Sequence, residues 1–466
     1  MVAPVQHKPR PVQYKIMIFK KIQLTHFRCF KAVSVELHPR LNVFVGNNGQ
    51  GKTAFLDAIA VGLGAVLTHL PATKGNNFRS NDLWQELPTS SGSAIRDQTP
   101  ISALNQAPYV RVMLETTDGI SWDRTEKRDR SKQTQQAIPP DKKLGELHHF
   151  LDNIINDVQA GLPTSLPVMV YYGTDRAGRS SLSNSEPRYF NKTFTRFKAL
   201  FEAMKPSSRV DNMVERFAFQ EDIERREKEN RGDLEYRQAL LESVRQAIYK
   251  VIPYCTDIRT TISPLRLKIT LEPIAGKKNI LFLDQLSDGY RAMLALVTDL
   301  ALRMAQANPH LENPLQAEAI VLIDEVDLHL HPQWQQTVLP NLLSTFEKTQ
   351  FIVTTHSPQV LTTVEEPECI HSIVWENGKV QVKQPNSCYG AESSRLLKDI
   401  LVVEPRPQNT KMALMLKQYF ELIEQGNGEE LAALDIRAQL EKWSRGDEMK
   451  LIKADMEIRR RQVFGV

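Results

Sequence analysis

Leu41-Asn42-Val43-Phe44-Val45-Gly46-Asn47-Asn48-Gly49-Gln50-Gly51-Lys52-Thr53 begins as a short apolar, β-prone run and stops abruptly at a glycine. Beyond the glycines, Phe55, Ile59, Leu63 and Val66 recur at helical spacing, so the segment reads as strand, loop, helix. Residues 46–53 fit G-x-x-x-x-G-K-[ST]. Glycines let backbone N–H groups turn inward around an anion at a helix N-terminus, where the helix dipole adds to the attraction. On this reading Asn47, Asn48, Gly49 and Gly51 line a phosphate cradle, Lys52 reaches the β- and γ-phosphates, and Thr53 ligates Mg²⁺. The bland account is a chance match in a glycine-rich loop; the strand before it and the helix after it speak against that.

Three further runs follow in an order that matters. Ile320-Val321-Leu322-Ile323-Asp324-Glu325 is an apolar strand ending in two acids. Asp324 suits a bound Mg²⁺, and Glu325 suits the activation of an attacking water. Taken alone, such a pair is often a solvated strand edge. The run Thr354-Thr355-His356 ends the next apolar strand and places His356 to contact a γ-phosphate, although a lone histidine is more often structural. Leu286-Ser287-Asp288-Gly289-Tyr290 precedes an amphipathic helix marked by Leu294, Leu296 and Leu300. A serine hydroxyl and glycine N–H groups there form an anion cap; the plain alternative is an N-capping serine.

The Leu286–Tyr290 run resembles the LSGGQ signature of the ABC superfamily. In that family the cap closes on the γ-phosphate bound by the opposite subunit, so the resemblance implies that Ser287 and Gly289 complete the nucleotide site of another copy. Thr25-His26-Phe27-Arg28-Cys29-Phe30 looks like the opening strand of RecF- and SMC-like ATPases, which implies that Arg28 lies near the nucleotide. Asp324-Glu325-Val326-Asp327-Leu328-His329-Leu330-His331-Pro332 resembles the run of the RecF/OLD branch rather than that of transporters. Leu166–Gly173, Cys388-Tyr389-Gly390 and Arg406-Pro407 resemble PtuA-like ATPases of Septu and retron-linked anti-phage systems. Two departures stand out: no Gln follows the Val168–Tyr172 strand, and Asp288 puts an acid where the signature usually has glycine. An acid near a γ-phosphate is repulsive, which predicts slow or gated hydrolysis.

The resemblance implies an α/β, ABC-ATPase-type P-loop fold with a mixed sheet, a short helical arm and a C-terminal helical region. It implies ATP and Mg²⁺ as cofactors, and Glu325 and His356 as the groups of the hydrolytic step. It also implies a dimer or higher homo-oligomer through the ATP sites. Implied partners are an HNH-type nuclease such as PtuB, and a retron reverse transcriptase with its nucleic acid. The function so implied is a sensor or scaffold ATPase that controls a separate nuclease in anti-phage defence. A RecF-like repair ATPase that binds DNA directly is the alternative. A nuclease of the OLD type would need an Asp-x-Asp pair beyond His356, and Asp399, Asp435, Asp447 and Asp455 are all isolated.

Composition agrees with a large globular chain. Of 466 residues, 41% are hydrophobic and 24% charged, enough for a substantial core. No apolar run approaches the roughly 18 residues of a membrane span. Residues 1–16 read as a flexible extension with no secretory signal. Cys29, Cys255, Cys369 and Cys388 form no paired motif and fit a reducing cytoplasm. With 59 basic and 55 acidic residues, DNA contact must come from a local patch. The candidates are the cluster Arg124, Lys127, Arg128, Arg130, Lys132 and the run Arg459–Arg461, against the commoner reading of a solvated face. The chain divides into an N-terminal lobe at 17–188 with a polar insertion at about 71–136, a helical arm at 189–251, a second lobe at 252–386 and a helical partner-binding region at 387–466. Within 71–136 a hairpin is expected from Tyr109–Leu114 to Ile120–Trp122. A helix is expected over Gln333–Lys348. In the tail, Met412, Leu416, Tyr419, Phe420 and Ile423 form an apolar stripe that either docks a partner or packs on the chain's own core.

Overall fold

The computed structural model describes residues 17–85, 106–141, 144–177, 195–206, 210–376, 378–404 and 406–464. The expected flexible extension, and the parts of the insertion and arm at 86–105 and 189–194, lie outside them. Two compact units emerge, Met1–Ser393 and Ser394–Val466.

In the first unit, β1 (Phe19–Phe27) and β2 (Phe30–Glu36) form an antiparallel pair. There follow β3 (Leu41–Val45) and α1 (Lys52–His69), then the hairpin β4 (Tyr109–Thr116) and β5 (Ser121–Lys127). Next come α2 (Lys132–Ala137), α3 (Gly145–Gln159) and β6 (Val168–Tyr172). The arm supplies α4 (Val210–Arg231) and α5 (Ala239–Val251), and after it β7 (Cys255–Ile262), β8 (Leu265–Ile274) and β9 (Lys277–Phe282) make an antiparallel three-stranded sheet. The second half of the nucleotide lobe carries α6 (Asp288–Ala307), β10 (Ala319–Ile323), α7 (Pro332–Gln335), α8 (Val338–Thr345) and β11 (Thr349–Thr355). It ends with α9 (Pro358–Leu361), β12 (Ile370–Glu376) and β13 (Lys379–Lys383), and α10 (Ser393–Asp399) opens the second unit.

The central sheet has the order β13-β12-β3-β11-β10-β6, parallel except for β13. Its strands β3, β6, β10 and β11 are buried at every residue. A parallel sheet covered on both faces requires this, and it explains why these strands read as unbroken apolar runs. The loop strand β3 and the acid-ending strand β10 do not touch, because β11 lies between them. This is the mixed α/β P-loop architecture that the motifs imply.

A second sheet, β2-β1-β4-β5, is antiparallel. The expected Tyr109–Lys127 hairpin is built into this sheet: β4 pairs with β1, Leu24 opposite Val112. Trp122 is fully buried and donates its Nε1–H to the carbonyl of Gly62 in α1 at 3.0 Å. Gln350 fastens this sheet to the central one. Its amide exchanges hydrogen bonds with the Phe19 backbone at 2.9 and 2.7 Å and donates to the His38 carbonyl at 2.9 Å.

The single helix expected over Gln333–Lys348 is instead two, α7 and α8. Pro340 has no N–H for the Gln336 carbonyl, so it is accommodated only in the first turn of a new helix.

A carboxylate network joins three of these elements. Asp299 of α6 accepts from Tyr172 Oη at 3.0 Å, Arg216 of α4 at 2.9 Å and Arg303 at 2.6 Å. Burial alone would raise its pKa, but the two guanidiniums hold it below the ordinary value.

The second unit contains α11 (Lys411–Glu424), α12 (Leu431–Ser444) and α13 (Met449–Phe464). Leu416, Tyr419 and Ile423 are buried against Ala433, Leu440, Leu451 and Ala454, with Met412 and Phe420 packed beside them. The apolar stripe thus belongs to the unit's own core, since three short helices need every such face to bury a core at all. Arg437 bridges α12 to Asp455 of α13 at 2.7 and 3.0 Å, and Arg406 holds Glu448 at 2.8 Å. Among the described residues no helix is long and apolar enough to cross a membrane.

Candidate functional site

Parallel register brings three strand ends to one edge of the central sheet. Val45 lies opposite Thr355, and Ile323 opposite Val353, so the loop after β3, the acids after β10 and His356 after β11 emerge together. Ligands of open α/β sheets bind at this carboxyl edge. Gly51 caps α1 with φ 102°, and a Cβ there would lie 2.5 Å from Cys29 Sγ, so only glycine fits. Asn47, Asn48 and Gly49 form the exposed tip of the loop, with the Asn47 N–H donating to Gln50 Oε1 at 2.6 Å. Lys52 is buried, and its ammonium donates to the carbonyls of Gly46 at 2.8 Å and Asn47 at 3.1 Å. Burial lowers its pKa, while Glu325, Asp324 and Asp327 pull it back up. The cation is thus held inside the arc of the loop, facing three carboxylates.

The acids are fixed by a set of hydroxyls. Thr53 Oγ1 donates to Asp324 Oδ2 at 2.8 Å, and Thr354 Oγ1 donates to Asp324 Oδ1 at 2.6 Å. The same Thr354 oxygen accepts the Glu325 N–H at 2.7 Å. Thr355 Oγ1 donates to Asp327 Oδ1 at 2.5 Å. Glu325 itself sits at φ 50°, a left-handed conformation that a non-glycine residue adopts only when its surroundings hold it there. Thr53 and Asp324 converge as hard oxygen donors, the set that Mg²⁺ prefers. Burial and then Lys52 push the His356 pKa down, so near neutral pH it is an uncharged imidazole.

Two residues that the motifs did not single out complete this edge. Thr354 had been visible only as a polar residue ending an apolar strand. Arg176 follows β6 and is 1% exposed. Its guanidinium donates to the carbonyls of Gly173 at 3.0 Å, of Asp324 and of Glu325. Nothing local in the sequence announces it, because its acceptors are backbone atoms of a distant loop.

The signature residues start α6, with Ser287 at the N-cap. Gly289 is required by close packing: a Cβ would run into the His329 carbonyl oxygen. Tyr290 meets Trp334 edge-on with ring centroids 4.0 Å apart. No described contact joins Ser287 or Gly289 to Lys52 or Asp324. The repulsion expected of Asp288 is offset, since its carboxylate pairs with Arg291 one turn on. His331 accepts the Gln333 N–H at 3.4 Å and caps α7. Arg28 lies beside the loop, but its guanidinium is held between Asp57 at 2.7 Å and Asp82 at 2.8 Å. That pairing ties the turn between β1 and β2 to α1.

The basic cluster loses two of its members to internal duties. Arg124 donates to the carbonyls of Val61 at 2.8 Å and of Asn76, and Arg128 to Gln106 at 2.9 Å and Asp129 at 2.8 Å. Lys127, Arg130 and Lys132 remain exposed. At the opposite edge of the sheet His38, Glu366 and Cys369 come close together. His38 Nδ1 accepts the N–H groups of Arg40 and Leu41 at 3.3 and 3.4 Å, which leaves the proton on Nε2 for Glu366 at 2.9 Å. The Cys369 thiol is pushed up to about 12 by burial and by Glu366. This trio is satisfied as it stands.

Comparison with known proteins agrees with the geometry. The family described as an AAA domain matches residues 21–255. An Escherichia coli protein named Retron Ec83 probable ATPase is 29% identical over 94% of this chain and 86% of its own length. The Retron Vc95 probable ATPase of Vibrio cholerae serotype O1 biovar El Tor is 26% identical over 82% of this chain and 79% of its own. The Septu protein PtuA of Bacillus mycoides is 46% identical across a short stretch, 16% of this chain and 10% of its own. The resemblance read from the motifs is thus borne out.

Proposed function

This chain belongs to the AAA domain family, and from that premise we propose that it is an ATP-hydrolysing switch that controls a separate nuclease in anti-phage defence. The observation that carries the ATPase reading is the 2.8 Å contact between Thr53 and Asp324, which closes the phosphate loop onto the acid pair at one sheet edge. The similarity to proteins named for retron and Septu systems supports the defence setting.

The loop N–H groups and the N-terminus of α1 bind the phosphates, and Lys52 moves its ammonium from loop carbonyls to phosphate oxygens. Thr53 and Asp324 would hold Mg²⁺, which when bound would neutralise charge on the phosphates. Glu325, set beyond Asp324 by its left-handed turn, accepts a proton from the attacking water. Neutral His356 offers a hydrogen bond to the γ-phosphate. Ser287 and Gly289 of a second copy complete the site, so hydrolysis is coupled to dimer formation.

Two measurements test this. The Lys52→Ala protein is expected to bind ATP roughly tenfold or more weakly by calorimetry, because a charge-assisted hydrogen bond of this kind contributes about 1.5–3 kcal/mol. Unchanged affinity would remove the loop from the nucleotide site. For the partner, we place docking on the second unit. The stripe of α11 is spent on the unit's own core, but Met449, Ile452 and Met456 share one face of α13 and are 66%, 49% and 67% exposed. Deleting residues 394–466 is expected to leave ATP affinity unchanged and to abolish co-purification with an HNH-type nuclease. Retained co-purification would move the docking surface to the first unit.

A further inference from the structure

We infer that Arg176 is a positioning residue for the hydrolytic glutamate, and that it ties the loop after β6 to the competence of the site. The inference rests on the reading of Glu325 given above. Arg176 is the largest charged side chain that is fully buried among the described residues. Its guanidinium donates to the backbone carbonyls of Gly173, Asp324 and Glu325. Burial pushes its pKa down to about 10, and Asp324, Asp327 and Glu325 oppose that fall, so it stays a cation at neutral pH.

The choice of acceptors is informative. The two peptide carbonyls that follow β10 flank the turn in which Glu325 takes φ 50°. On the other side of that turn, Thr354 accepts the Glu325 N–H at 2.7 Å and its carbonyl accepts the Val326 N–H at 2.9 Å. Glu325 is therefore clamped between β11, through Thr354, and the loop after β6, through Arg176. A left-handed non-glycine residue persists only where such surroundings over-determine it. Without Arg176 the peptide planes at Asp324 and Glu325 are free to relax, and the carboxylate swings with them. Strand β6 is where the sequence lacks the glutamine that transporters carry. Here the segment just after that strand reaches the site through its hold on the Glu325 backbone. Any displacement of Thr174–Ala177 is thereby transmitted to the position of the carboxylate.

The test is a double-mutant comparison under single-turnover conditions, with the parent, Arg176→Lys, Glu325→Gln and the combined variant, and ATP affinity measured on each by calorimetry. Arg176→Lys keeps the charge but cannot span three carbonyls. It is expected to slow hydrolysis roughly ten- to a hundredfold, the scale of a small misplacement of a reacting group, with ATP affinity unchanged. In the Glu325→Gln background the same substitution is expected to change the rate no further, because its effect passes through the missing carboxylate. A parent-like rate for Arg176→Lys, or an equal slowing in both backgrounds, overturns the inference. A parent-like rate for Glu325→Gln instead overturns the reading of the site itself. Should the lysine variant fail to fold, Arg176→Gln, which still offers an N–H donor to one carbonyl, is read by the same two comparisons.

Discussion

Glu325→Gln is expected to leave ATP bound and to slow its hydrolysis by about 10²–10⁴-fold, the contribution of a general base. The carboxamide has the shape of the carboxylate but cannot take a proton from water. The backbone that carries it does not depend on the side chain: Thr354 holds the N–H at 2.7 Å, and Arg176 holds the carbonyl. The phosphate-binding groups, Lys52 and the loop before it, are untouched, so affinity should be preserved and the loss confined to the rate. Quenched single-turnover hydrolysis beside equilibrium binding separates the two. If the variant turns ATP over as fast as the parent, another group activates the water, and His356 becomes the first to examine.

The second large effect concerns stability. Asp299 gathers Tyr172, Arg216 and Arg303 within 3.0 Å while its side chain is 15% exposed. Replacing it by Ala leaves two partly buried guanidiniums facing each other across a gap. Breaking a buried pair from one side costs about 3–5 kcal/mol, and the lower figure suits a carboxylate that still meets some solvent. The midpoint of urea unfolding should fall accordingly. Because the folded carboxyl is held below its ordinary value, its stabilisation is complete at neutral pH and is lost as pH falls through the carboxylate range. The parent should therefore destabilise on acidification more steeply than Asp299→Ala. A variant within about 1 kcal/mol of the parent would show that the arm and the signature helix do not need this carboxylate.

What could be read from sequence was what local geometry dictates. Gly51 must be glycine because its backbone is left-handed and Cys29 leaves no room, and a strand buried on both faces must be apolar throughout, as β10 is. Such features mark themselves in a few consecutive residues. The hairpin of β4 and β5 was visible as a hairpin, but the strand it pairs with was not. Its pairing partner β1 lies far off in sequence, and polar residues such as Arg124 are there to satisfy carbonyls of α1. The tail stripe pointed two ways for the same reason, since whether Leu416 and Tyr419 meet a partner or α12 and α13 is a long-range fact. Arg176 was illegible because backbone carbonyls leave no side-chain signature at the positions they come from.

The interleaving of β3 between β11 and β12 also governs how the chain is made. His38 and Gln350, which meet beside the start of β3, are 312 residues apart. At about 5–20 residues per second of synthesis, the phosphate-loop strand leaves the ribosome tens of seconds before either neighbour exists. For that time an apolar five-residue strand with no ladder partner is held in a nascent chain, where it must be shielded from other chains. Contacts of such long range are also slow to close once the chain is free. A message cut short before Thr355 therefore yields a protein with the whole phosphate loop and no means of seating it. Synthesis must therefore pass β12 before both ladder partners of β3 exist.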